Sequence, residues 1–264
     1  MAFKLWNVNF EFGNKNLDCS LKEKINEAKS ENKLPNYVNV LTGIDELTVS
    51  NEYKELSVTC SPAFFPLNTK EVTPCILREL YDDNLFKKPL LSVIVHAITE
   101  DLSYVILQQR NNKTSQGHSQ FQPSAAGYVD SAEIPSQSAI REFNEEVSGL
   151  IGGLDSKLIP KALGITTHYI AGNKLLPNSL LGYVMLVGKD QAMKKLRVAK
   201  NLNELDNLSV MHDSEVSKLA LVPYESFENL WNEVVEAERN FGDVDEGVGK
   251  SVKQFIEYVD KAKI

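Results

Sequence analysis

Apolar and polar positions change rhythm several times along the chain, and each change predicts an element. Residues 3–12 alternate loosely, as a half-buried strand does. Residues 21–33 carry apolar positions at helical spacing, with Ser20 as a candidate N-cap and charge on the outer face. Pro35, Pro62 and Pro66 interrupt the next stretch, so residues 41–65 read as strands or extended segments joined by turns. A short helix is expected over residues 73–86, with Pro74 in its first turn. It ends at the polar junction Lys87, Lys88, Pro89, which we read as a boundary between an accessory region, 1–88, and a second unit, 89–264. There "LLSVIVHAI" and "SYVILQQR" flank the polar turn "TEDL", which predicts a β-hairpin. A long polar loop, "NNKTSQGHSQ", leads into "FQPSAAGYV". Two more strands, "LIPKALGITTHYI" and "SLLGYVMLVG", are expected around a turn at residues 171–178, and two amphipathic helices, "SFENLWNEVVEAERNF" and "KSVKQFIEYVDKA", lie near the end. Trp231 shares a helical stripe with Leu230 and Val234 and so belongs to a core; Cys60 reads as a packed small residue. Strands and helices are mixed, not regularly alternating, which predicts an α+β class with a layered α/β/α core.

Composition narrows the function. With 28 Lys and Arg against 36 Asp and Glu, the formal charge of −8 offers no general basic footprint for a phosphate backbone, and nucleic acid is not expected as a partner. Cys19, Cys60 and Cys75 show no metal-type spacing and suit reduced thiols. With no apolar leader at the start and no run of membrane-spanning length, a cytoplasmic protein without a membrane partner is expected.

Residues 127–150, "GYVDSAEIPSQSAIREFNEEVSGL", carry the chemistry. Pro135 suits the first position of a helix reaching about Val147, with Gly149 as its stop. Ala139, Phe143 and Val147 recur every fourth position as a buried stripe, with Ile140 beside them. Glu142, Glu145 and Glu146 are related by steps of three and four, so their carboxylates converge on a neighbouring face. Each like-charge pair so placed costs about 0.2–0.5 kcal/mol. A hard divalent cation with oxygen ligands would offset that cost. Arg141, one turn before Glu145, can orient a carboxylate through paired hydrogen bonds. "REFNEE" alone would read as an ordinary solvated face.

The spacing goes further than those six residues. Gly127 precedes Glu133 by six positions, and Glu133 precedes Arg141 by eight. With Glu142, Phe143, Glu145 and Glu146 in register, the stretch resembles the Nudix box: Gly, five free positions, Glu, seven free positions, then Arg-Glu-apolar-free-Glu-Glu-free-Gly-apolar. Two departures stand out. Ser148 occupies the closing glycine position, with Gly149 one place later, and the usual Pro-Gly-Gly-like turn reads "PSAAG".

The resemblance covers residues 89–235 and implies a Nudix-like α/β/α sandwich with a mixed sheet, preceded by the accessory region. It implies a hydrolase that cleaves the diphosphate linkage of a nucleoside diphosphate derivative with Mg²⁺ or Mn²⁺. By position, Glu142, Glu145 and Glu146 with the Gly127 carbonyl would hold the metal, Arg141 would orient the glutamates, and Glu133 would tie loop to helix. Glu215 would be a further ligand or the general base, and Arg110 and His118 would meet the substrate, with His168 a further candidate for nucleotide contact. The partner implied is a small nucleotide-derived molecule, and a homodimer is compatible with the sequence. The polar loop at residues 111–122, the turn at 171–178 and the accessory region would recognise the attached group, which favours a hydroxylated one such as a sugar. All three cysteines precede residue 76, which argues against an isomerase needing a cysteine near the box. Two other readings stay open: a non-catalytic regulatory module that binds a nucleotide, and a sanitiser of nucleoside triphosphates.

Overall fold

The structure, a computed structural model, describes residues 3–76, 83–111, 121–170, 173–211, 213, 215–239 and 246–263. The chain runs β1 (Asn7–Phe12), α1 (Lys15–Ser30), β2 (Leu41–Ser50), β3 (Glu55–Ala63), α2 (Thr69–Ile76), β4 (Leu91–Thr99), β5 (Tyr104–Arg110), β6 (Phe121–Pro123), β7 (Ala125–Tyr128) and α3 (Pro135–Phe143). A π-helical turn, Asn144–Ser148, extends α3. After it come β8 (Ser156–Leu158), β9 (Gly164–Ile170), β10 (Asn173–Val187), α4 (Lys189–Lys195), β11 (Arg197–Val198), α5 (Leu202–Asp206), β12 (Val216–Pro223), α6 (Tyr224–Arg239) and α7 (Glu246–Ala262).

The larger sheet has the order β11-β12-β5-β4-β10-β8, with β6 on β5, β7 on β4 and β9 on β10. It is mixed: β4 and β10 run parallel at its centre, while β4–β5, β5–β12 and β9–β10 are antiparallel. Every residue of β4 is buried, as expected of a nearly continuous apolar run covered on both faces. Alternation splits that run. Leu91, Val93, Val95 and Ala97 pack with Ala139, Phe143 and Val147 of the box segment, whereas Ile98 joins Phe227, Trp231, Val252 and Phe255 of α6 and α7. The α/β/α sandwich is thus built on the two sides of one strand. A second sheet, β1-β3-β2, sends Leu56, Val58 and Cys60 into the core on the α3 side.

Several boundaries differ from the expectation for physical reasons. Helix α1 starts at Lys15, so Ser20 is inside it rather than at its cap; its buried face begins with Asp18, a full turn earlier than the apolar residues suggested. Helix α2 starts at Thr69, which puts Pro74 beyond its first turn. Strand β10 takes in Asn173 to Asn178, where a turn was expected, because its pairing with β9 continues to Ile170 and Asn173. A register shift between Asn173 and Pro177 accommodates the proline, which has no N–H to give the ladder. Residues 171–172 of that turn lie outside the described residues. Ile140 is 43% exposed and does not join the stripe of Ala139, Phe143 and Val147, all of which are fully buried. Among the described residues no helix is long and apolar enough to cross a membrane.

Candidate active site

Strand β7 delivers Gly127 opposite Val93, on the face that α3 covers. A Cβ on Gly127 would collide with the Glu142 carboxylate, so glycine is required here by close approach rather than by backbone angle. One turn later Glu146 is fixed by three groups. Gln108 Nε2 and the Ala126 amide each donate to its Oε2 at 2.9 Å, and Arg110 Nη1 lies 3.8 Å from its Oε1. Glu142 and Glu146 are therefore both inward, 7% and 4% exposed, whereas the Glu145 side chain is 59% exposed. Glu145 stands at the exposed rim of the group, tied to Glu142 through a shared arginine nitrogen, while Glu142 and Glu146 point inward.

Arg141 is the hub of the segment. Its Nη1 donates to Glu142 Oε1 at 2.6 Å and to Glu145 Oε2 at 3.3 Å, and its Nη2 donates to Glu133 Oε2 and to the Tyr128 carbonyl, each at 3.1 Å. Asp130 Oδ2 is 3.9 Å from Nε. Ser138 Oγ donates to Glu133, which fixes the loop residue against the first turn of the helix. Burial opposes the guanidinium charge, yet Glu133, Glu142 and Asp130 together raise its pKa above the ordinary arginine value. The carboxylates feel the burial more. Desolvation pushes Glu142 up to about 7 against the pull of Arg141, and pushes Glu146 up to about 7 against the Ala126 amide and Arg110. Glu215 adds to the rise at Glu146, which places it within electrostatic reach of that carboxylate. Burial likewise raises Asp130.

The π turn explains the altered end of the box. The Gly149 amide donates to the Asn144 carbonyl at 2.7 Å, a bond across five residues, so one extra residue is absorbed between Glu146 and the closing glycine. The carboxylates upstream keep their register. A Cβ at Gly149 would come within 2.7 Å of the Asn144 carbonyl oxygen, which is why the glycine sits at this position. Ser148 accepts from the Leu154 amide through its Oγ at 2.8 Å and starts the exit from the helix.

Of the residues expected from sequence, the structure brings together Gly127, Glu133, Arg141, Glu142, Glu146 and Arg110, with Glu145 at the rim and Glu215 close by. His118 lies outside the described residues; His168 stands in β9 opposite Asn178. Sequence reasoning missed Gln108, Asp130 and the Tyr128 carbonyl. Gln108 could have been found: it alternates with Ile106, which points into the core on the α3 side, so a glutamine was being sent inward. Its Oε1 and Arg110 Nε are buried without a hydrogen-bond partner among the described residues.

Among the described residues no three His, Cys, Asp or Glu side chains are gathered into a ready-made metal cage. The donor set still fits a hard divalent cation. It is all oxygen, burial raises the pKa of two of its carboxylates despite the arginines beside them, and Gly127 leaves its carbonyl strand free of a side chain under Glu142.

The NUDIX domain model matches residues 88–240. No curated relative matches the chain in sequence. Among solved structures, a NUDIX hydrolase from Nitrosomonas europaea is 14% identical, with 64% of this chain and 88% of that one aligned and a TM-score of 0.39. A MutT protein from Methanosarcina mazei Go1 is 15% identical over 60% and 99% of the two chains, with a TM-score of 0.33. The NUDIX domain of Shewanella oneidensis NrtR, complexed with ADP ribose, is 14% identical over 61% and 94%, with a TM-score of 0.32.

Proposed function

The chain belongs to the Nudix family, and from that premise we propose that it is a divalent-metal-dependent hydrolase that cleaves the diphosphate linkage of a nucleoside diphosphate derivative. The observation that carries this reading is the pair of buried carboxylates, Glu142 and Glu146, held in box register around Gly127 and Arg141. Glu142 and Glu146, with Glu145 from the rim and the Gly127 carbonyl, would hold Mg²⁺ or Mn²⁺. When bound, the cation would neutralise charge on the diphosphate and favour ionisation of the attacking water.

The rest of the work falls to the chain itself. Arg141 keeps Glu142 aimed at Gly127 and prevents the loop at Tyr128 from drifting, because one side chain bonds both. Gln108 and the Ala126 amide hold the far oxygen of Glu146, which leaves its Oε1 facing Arg110. Arg110, with one nitrogen unpartnered among the described residues and its ion pair stretched to 3.8 Å, would turn to a substrate phosphate oxygen. Glu215 is exposed and near Glu146, a setting that suits either a further ligand or the base that takes the proton of water. We assign the attached group as hydroxylated, a nucleotide sugar for instance, on the polarity of the loop at residues 111–122.

The test is a panel of nucleoside diphosphate sugars, other nucleoside diphosphate derivatives and nucleoside triphosphates with Mg²⁺ or Mn²⁺, read by product analysis. Two monophosphate products from a diphosphate derivative are expected. Release of pyrophosphate from triphosphates would favour a sanitiser instead, and tight nucleotide binding without turnover would favour a regulatory module.

A further inference from the structure

The NUDIX domain match begins at residue 88, yet residues before it are built into the loop that joins Gly127 to α3. The carbonyls of residues 128–131 each have a partner. Tyr128 is held by Arg141. The Val129 carbonyl accepts from the Thr42 amide at 2.9 Å, and the Asp130 carbonyl from Thr42 Oγ1 at 2.9 Å. The Ser131 carbonyl accepts from Lys22 Nζ at 2.6 Å, while the Ser131 amide donates to the Val40 carbonyl at 3.0 Å. Lys22 is itself held by Asp18 at 2.9 Å, an acid buried on α1. One carbonyl of the loop is thus secured from inside the box and the next three from the accessory region.

Strand β2 is shaped for this task. Its first residues are buried and bridge outward, Leu41 to Asp130 and Gly43 to Leu90, while residues 46–49 are exposed. The register shift between Ile44 and Glu46 separates the half that grips the loop from the half that reaches solvent. Hydrophobic docking of the small sheet places the side chains of Ile44, Leu56, Val58 and Cys60 in the core, and none of these side chains makes the loop bonds.

We propose that the accessory region acts as a fixed brace on the catalytic loop, with Thr42 as its main positioning residue and Lys22 as the second. This rests on the Nudix hydrolase reading. Thr42 is fully buried and bonds backbone carbonyls, not the side chains that would hold metal; it acts through residues 129 and 130, two and three positions from Gly127. Freeing that backbone would let the Gly127 carbonyl and the start of α3 move relative to Glu142, and groups that orient metal ligands typically matter by about 10–100-fold.

The experiment uses the full chain and its best panel substrate. Thr42→Val keeps the shape and the amide bond but removes the hydroxyl; Thr42→Ser restores it; Lys22→Met removes the second tie and leaves the buried Asp18 without its cation, so its stability is measured beside its activity. Tyr53→Ala, on the exposed turn of the same sheet, is the control. With folding checked by circular dichroism, kcat, KM and the Mn²⁺ dissociation constant by electron paramagnetic resonance are compared. Thr42→Val should lower kcat by about tenfold or more and weaken Mn²⁺ binding, with KM little changed, and Thr42→Ser should recover most of both. Lys22→Met should give a smaller loss of the same kind, and Tyr53→Ala none. Wild-type kcat and Mn²⁺ affinity in both folded Thr42→Val and Lys22→Met would overturn the brace and leave the hydrolase reading intact. A wild-type chain that turns over no panel substrate and binds no Mn²⁺ would overturn both.

Discussion

The two faces of the central sheet bury polar groups in opposite ways. Toward α7, His96 of β4 lies with its Nε2 2.8 Å from Ser251 Oγ and its ring stacked on Phe255, centroids 4.8 Å apart. Burial lowers its pKa to about 3, so the pair is neutral. Toward α3, the same sheet buries Glu142 and Glu146 with arginines whose contacts only partly balance them. That pair puts no charge in the core, although the His96 Nδ1 is buried without a hydrogen-bond partner among the described residues. Buried carboxylates are costly unless paired, and a site that keeps them incompletely paired gives up stability for chemistry. On the proposed function, the difference separates structural from functional polarity within one core.

The strongest way to break the comparison is Glu146→Gln. It should lower kcat/KM by on the order of 100- to 1000-fold, as loss of a principal electrostatic group does. The thermal midpoint should stay or rise, because a buried charge is removed with little change of shape. An active variant, or an unfolded one, would erase the distinction between the two faces.

The acid limb of stability probes the α7 face. The unfolded chain carries an ordinary histidine near 6.5, whereas folded His96 takes a proton only near pH 3. Between those values the unfolded state binds the extra proton, so the His96 contribution to stability falls as pH falls, by about 1.4 kcal/mol per pH unit at most. Glu142 and Glu146, raised to about 7, take up protons in the folded state and work in the opposite direction between pH 7 and about 4.5, so the His96 contribution is read as a difference: in urea unfolding from pH 7 to pH 4, His96→Gln, which keeps a donor for Ser251, should lose less stability toward acid than the wild type. Equal slopes would mean that His96 is not buried in its neutral form.

The smallest effect expected sharpens the comparison inside the α3 face. Ser148 is a buried neutral group there, bonded to the Leu154 amide. Ser148→Ala should cost about 1 kcal/mol of stability, the value of an ordinary hydrogen bond, and leave kcat within twofold. A loss of activity larger than the loss of stability would tie the π turn to catalysis.

How much of this could be read beforehand varies by element. The box was legible because its requirements are local: proline at the start of a helix, an apolar residue every fourth position, acids at steps of three and four. Ala139, Phe143 and Val147 are buried as that spacing demands, and Trp231 and Cys60 sit in cores as their settings suggested. The outward turn of Glu145, the inward aim of Gln108 and the π turn were less visible, since each depends on what α3 faces across β5 and β7. The strand at residues 173–178 was read as a turn because its pairing with β9, not its composition, makes it extended.

By itself, then, the sequence determined that a carboxylate-bearing helix comes after a glycine strand, that an arginine stands where it can orient the acids, and that the core is mixed and layered. Such features arise from covalent spacing, which fixes which side chains can meet on one helix or strand. Only the tertiary structure decided how deeply Glu142 and Glu146 are buried, hence their shifted protonation, and which backbone groups hold the loop before α3. Burial and long-range hydrogen bonds join Thr42 to Asp130 and Gln108 to Glu146 across many residues of chain. No local rule encodes those contacts; they form because the small sheet and the large one close over a single core, where a buried backbone carbonyl must find a partner.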